Sequence, residues 1–200
     1  MAAELAQGFV TLRGLGPAVS VFGSARTPEG STEHRQACEV GRRLGAAGLA
    51  VITGGGPGAM AGANRGAQEA AACSVGLTID LPHEQGANGW LDLEVPFHYF
   101  FCRKVMFVRY ASAFVVLPGG YGTFDELFEA MTLIQTRKVH HFPLVLVGRD
   151  YWGGLVEWLR QRVLGEGKVG PRDVDLLHVT DDLDEVVAVV AEAARLQGEA

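Results

Sequence analysis

The sequence predicts an α/β protein, a Rossmann-like, doubly wound and mostly parallel sheet with helices on both faces. From Ala18 onward, short apolar runs alternate with stretches of helical periodicity, the order of strands joined by crossover helices. Three of the strand-to-helix junctions are rich in glycine, which lets the chain turn sharply there. A hydrophobic content of 48% over 200 residues supplies enough apolar side chains to cover both faces of such a sheet.

Ala18–Phe22 reads as the first strand, followed by a loop of Gly23, Ser24, Ala25 and Arg26 and a helix over residues 32–47. Residues 49–53 form the second strand, which runs into Gly54, Gly55, Gly56, Pro57 and Gly58. The alanines and glycines of residues 59–67 then read as a small-residue helix packed closely on its neighbour. A third strand is expected at Ser74–Ile79. Residues 80–101 break the rhythm with Pro82, Gly86 and Gly89, then the aromatic run Phe97, His98, Tyr99, Phe100 and Phe101, an excursion long enough to be functional. A helix over 103–111 leads to a strand at 113–117, and a helix rich in strong helix formers continues to Ile134. A strand at 143–147, a helix over 151–164, a strand at 176–179 and a final helix over 181–195 complete one domain over residues 1–200, with residues 1–15 as a flexible lead-in.

The net charge of −6 speaks against a general nucleic-acid or membrane-surface binder, which needs a basic face to displace counterions. No apolar run reaches the length of a membrane span, and Met1, Ala2, Ala3 and Glu4 lack the basic start of a signal peptide, so a cytoplasmic protein is expected. Cys38, Cys73 and Cys102 are far apart and in no CxxC pattern, and read as small apolar residues. The six histidines show no metal-ligand spacing, so neither a metal nor a cofactor is expected.

The chemistry concentrates at Pro118, Gly119, Gly120, Tyr121, Gly122, Thr123, Phe124, Asp125 and Glu126, where an apolar strand, a glycine turn and an acidic helix start meet. Glycine amides and the helix dipole favour an anion there. Glu126 would repel phosphate and therefore suits another part of the ligand, such as sugar hydroxyls or a cationic transition state. Thr123 and Glu126 equally fit a capping box, with Thr123 closing the helix start. Ligands of open α/β sheets sit beyond the carboxyl ends of the strands, so the three glycine loops should converge on one rim.

Gly56 to Ala61 matches a GxGxxA dinucleotide pattern with Asp80 at a suitable ribose distance, but it follows the second strand and leaves the later motif unexplained. No GxxxxGK[ST] occurs, which excludes a P-loop. Arg103 and Lys104 form a basic pair at a predicted helix start, which the macrodipole disfavours. The pair fits either an anionic partner or a surface salt bridge.

With Arg103 and Lys104 followed by the Pro118-to-Glu126 motif, the chain resembles the LOG, or Lonely Guy, family. Gly23, Ser24, Arg26, Gly54 to Gly58, Met60 and Thr132 also match that pattern, so the resemblance covers residues 18–147. Such proteins have often been labelled lysine decarboxylases, yet no residue pattern here marks a lysine that would hold pyridoxal phosphate. The resemblance implies a phosphoribohydrolase that cuts the N-glycosidic bond of a nucleoside 5'-monophosphate, cytokinin riboside monophosphate or AMP, giving free base and ribose 5-phosphate. It implies catalytic roles for Arg103 and Glu126. Substrate contacts are expected from Gly23, Ser24, Arg26, Gly55, Gly56, Gly58, Met60, Lys104, Gly119, Gly120, Tyr121, Gly122, Thr123 and Thr132. Glu84 is the candidate second carboxylate. A homo-oligomer with sites near subunit boundaries is also implied, and residues 97–101 suit either that interface or the core. The alternative is a non-catalytic carrier of a nucleotide or phosphorylated cofactor that uses the same loops.

Overall fold

In a computed structural model, residues 1–80, 86–140 and 142–198 are described. Seven strands form one sheet: β1 (Ala18–Phe22), β2 (Ala50–Thr53), β3 (Ser74–Ile79), β4 (Leu93–Phe97), β5 (Phe114–Val116), β6 (Leu144–Val147) and β7 (Leu177–Thr180). Their spatial order is β4-β3-β2-β1-β5-β6-β7, and every pairing is parallel. The order reverses at β1, whose Ser20 to Phe22 register with Phe114 to Val116 of β5 while Ala18 to Ser20 register with β2. That reversal opens a crevice between the loops after β1 and β5, where ligands of doubly wound sheets sit.

Alternation of side chains sends each strand's residues into two separate cores. Ala18, Phe22, Ile52, Phe114, Val116, Leu144 and Leu146 face one side. They meet α4 (Phe100–Tyr110), α5 (Tyr121–Gln135) and α6 (Arg149–Trp158) through Met106, Phe107, Leu127, Trp152 and Val156. Val19, Val21, Val51, Val115, Val145 and Val147 face the other side, under α2 (Thr32–Ala46), α3 (Ala59–Glu69) and α8 (Leu183–Gly198). On that side α2 and α3 approach to backbone contact. A Cβ on Gly66 would sit 1.9 Å from the Cys38 carbonyl oxygen, and one on Gly41 would sit 2.0 Å from that of Ala63.

Several expectations shift. Within residues 1–15, α1 (Ala2–Thr11) packs Gly8 against Met106, and Leu12 is buried. The excursion over 80–101 contains β4, which its aromatic content disguised. Pro96 is tolerated because β4 is an edge strand with one neighbour. The helix expected from Arg103 begins at Phe100, so Phe100 and Phe101 sit in its first turn. The helix expected over 151–164 is α6 followed by a π-helical segment, Leu159–Leu164, and a short α7 (Pro171–Val174) precedes β7.

Candidate active site

The three glycine loops meet at the carboxyl ends of β1, β2 and β5, and backbone hydrogen bonds lock them together. The Ser24 amide donates to the Pro118 carbonyl at 3.1 Å, and the Ala59 amide donates to the Ser24 carbonyl at 3.0 Å. Only glycine permits this closeness at two points. A Cβ on Gly23 would lie 2.7 Å from that of Ala59. One on Gly58, whose φ is +66°, would lie 2.4 Å from the Ser24 carbonyl oxygen. Asn88, returning from the excursion, donates from its side chain to the Gly55 and Gly56 carbonyls at 3.0 and 2.9 Å and fixes the second loop from outside.

Between these loops and α4 lies a cleft of about 710 Å³. Of the residues expected to touch substrate, Gly23, Ser24, Arg26, Met60, Gly119, Gly120, Tyr121, Gly122 and Thr123 line it, as do Arg103 and Glu126. The amides of Gly119, Gly120, Tyr121 and Gly122 donate to no other described residue, leaving a row of donors at the start of α5. A Cβ on Gly120 or Gly122 would meet nothing within 4 Å, whereas one on Gly119 would strike the Thr123 hydroxyl. The first turn is therefore open at two glycines and closed at the third by Thr123.

The capping box does not form. The helix starts two residues before Thr123, with Gly120 as its N-cap, and the Thr123 amide donates to the Gly120 carbonyl at 2.9 Å. Glu126 thus falls in the second turn, beyond the reach of a cap. It is buried, 4% exposed, on the cleft wall. Burial pushes its carboxyl up to about 7, against the nearby charges of Lys104 and Arg103, which favour the carboxylate, while Glu129 and Asp125 oppose it. Arg103 faces Glu126 from α4. Its guanidinium lies 5.2 Å from the centre of the Phe100 ring and 5.7 Å from that of Phe107, so two aromatic faces hold the cation.

Other expected contacts lie elsewhere. Lys104 is not on the cleft wall. Its ammonium is 2.9 Å from Asp125 Oδ2 and 2.7 Å from Glu129 Oε2, an ion-paired tie between α4 and α5 behind Glu126. Thr132 donates its hydroxyl back to the Phe128 carbonyl, away from the cleft. Gly55, Gly56 and Gly58 are not on the cleft wall. Gly55, at φ +71°, packs on Thr78 and Gly76, and Gly58 on the first loop, because the turn itself needs them. Glu84 lies outside the described residues. The cleft also has walls that the sequence reading missed: Phe22, Ile79, Phe100, Phe107, Phe124 and Tyr151. Tyr151 follows β6, so the rule that put ligands beyond strand ends could have found it. The aromatics carry no such signal, because core residues look the same.

Among the described residues, no helix is long and apolar enough to cross a membrane, and no group of three or more His, Cys, Asp or Glu could hold a metal ion. A family model described as Possible lysine decarboxylase matches residues 60–190. The chain is similar to the cytokinin riboside 5'-monophosphate phosphoribohydrolase of Mycobacterium tuberculosis, with 34% identity over 163 residues, 78% of this chain and 83% of that one. The protein of the same description from Rhodococcoides fascians is 27% identical over 86% of this chain and 88% of its own. One from Arabidopsis thaliana is 31% identical over a shorter stretch, 46% of this chain and 42% of that protein. Among solved structures, the molybdenum cofactor carrier protein of Chlamydomonas reinhardtii superposes with a TM-score of 0.68 over 90% of this chain and 99% of that one. At 22% identity, that is a likeness of fold.

Proposed function

Because the chain belongs to the LOG family, the group matched by the Possible lysine decarboxylase model, we propose that it hydrolyses the N-glycosidic bond of nucleoside 5'-monophosphates, cytokinin riboside monophosphates or AMP. The products are free base and ribose 5-phosphate. The observation that carries this reading is Glu126, a buried carboxyl on the wall of a cleft that is also lined by a row of unspent amides. The phosphate docks on the amides of Gly119 to Gly122 and on the start of α5, where charge-assisted hydrogen bonds contribute about 1.5 to 3 kcal/mol each. The ribose then lies toward Glu126. Glycosidic cleavage builds positive oxocarbenium character on the sugar, and an anionic Glu126 stabilises it and orients the attacking water or the ribose hydroxyls. Arg103, held over its two rings, acts at the sugar and its departing base.

A decarboxylase using pyridoxal phosphate would need a lysine in the cleft, and none of Lys104, Lys138 and Lys168 lines it. A pure phosphate carrier has no use for a buried acid beside its anion site, so the carrier reading stands second. The enzyme acts in the cytoplasm, and it acts as a homo-oligomer; the oligomer is supported by Phe100, Phe101, Val105 and Phe128, apolar side chains on α4 and α5 that are each more than a third exposed.

The test is release of base from AMP and from isopentenyladenosine monophosphate, followed by chromatography. Wild-type protein releases base. Glu126→Ala loses on the order of 10²- to 10³-fold or more in kcat while still binding ribose 5-phosphate. A folded wild-type protein that cleaves no member of a broad nucleotide panel would overturn the hydrolase reading.

A further inference from the structure

Tyr151 stands outside the span that carries the family motifs, yet its hydroxyl donates to the carbonyl oxygen of Gly119 at 2.5 Å. We infer that Tyr151 is a positioning residue for the anion cradle, holding the Gly119–Gly120 peptide in the one orientation that presents an amide and not a carbonyl to a phosphate. The identity of the anion as a sugar phosphate rests on the proposed hydrolase activity; the role of the hydroxyl does not.

A peptide unit between two glycines rotates with little steric cost, since neither side carries a Cβ. Within a trans peptide the C=O and the following N–H point in opposite directions. Rotation would therefore replace a donor by an acceptor at a site built for negative charge. With the Gly119 carbonyl engaged by Tyr151, the Gly120 amide is turned away from α6, and it donates to no other described residue.

The anchor is itself rigid. Tyr151 and Trp152 both donate their amides to the Gly148 carbonyl at the start of α6, at 3.1 and 3.0 Å. Trp152 is fully buried, with its ring 5.4 Å from that of Phe124 on α5. Gly148, at φ +112°, lets this turn pass close to Pro118, where a Cβ would lie 3.4 Å from the proline ring. A phenol has one proton to give, and here it goes to Gly119. Tyr151 thus acts on the phosphate through the loop and not by direct donation.

The experiment is Tyr151→Phe, which keeps the ring on the cleft wall and removes only the hydroxyl. Ribose 5-phosphate is the probe, titrated by calorimetry, with adenosine as the ligand that lacks phosphate. Ribose 5-phosphate should bind about 5- to 10-fold more weakly, because the fraction of free protein with the Gly119–Gly120 peptide turned for the anion falls by that factor. Adenosine affinity should stay unchanged, and the melting temperature should fall by only a few degrees, as for one lost intramolecular hydrogen bond. In turnover assays KM for AMP should rise by the same factor, with kcat changed by less than twofold. Unchanged ribose 5-phosphate affinity overturns the inference, and so does an equal loss for adenosine, which would mark general damage to the cleft. A wild-type protein that binds no ribose 5-phosphate overturns it as well. If no nucleotide is cleaved but the variant still loses ribose 5-phosphate affinity, the hydrolase reading falls and the role of Tyr151 stands.

Discussion

Glu126 decides most at the residue scale, and its burial has a sign that can be measured. Its folded-state pKa, pushed up to about 7, lies above the ordinary glutamate value of 4.5. Between those two pH values the folded protein holds a proton that the unfolded chain has released, so rising pH removes stability over that window. The full effect is about 3 kcal/mol. Glu126→Gln should therefore match the wild type at pH 4.5 and exceed it increasingly up to about pH 7, as read by urea denaturation across pH. Lys104→Met, which removes a charge favouring the carboxylate, should move the upper end of the window above 7. A wild type and Glu126→Gln pair that run parallel across pH would show that the carboxyl is not desolvated. The same ionisation should appear in turnover, with kcat/KM rising toward pH 7 as the carboxylate forms.

Helices and their junctions show what the sequence could and could not convey. The motif from Pro118 to Glu126 was legible because strand, glycines and acid are contiguous, but the register of the helix start was not. Thr123 has the right chemistry for a cap, and only the fold shows that Tyr121 and Gly122 precede it as helix. Lys104 was legible as an unusual cation but not as a tie to Asp125 and Glu129, since its partners lie on another helix. β4 stayed hidden because proline and aromatics in a short edge strand look like loop. The small-residue character of α3, by contrast, spoke plainly for close packing. Gly66→Ala forces a methyl against the Cys38 carbonyl and should destabilise by at least about 1 to 3 kcal/mol. Chemical denaturation would measure it, and a loss below 0.5 kcal/mol would mean that α2 and α3 can slide apart freely.

For the molecule as a whole, the exposed apolar side chains of α4 and α5 predict that size-exclusion chromatography with light scattering will find a mass of at least two chains; a monomer at micromolar concentration would remove the oligomer proposal. The parallel sheet has a further consequence, which concerns time and not geometry. Phe22, Gly54, Arg103, Glu126 and Tyr151 border one cleft, yet they are spread over some 130 positions of the chain, and every strand pairing that gathers them is a crossover. Contacts of such long range are costly to close and form late, so no short fragment can hold the cleft together and a refolding chain acquires it only once the sheet is nearly complete.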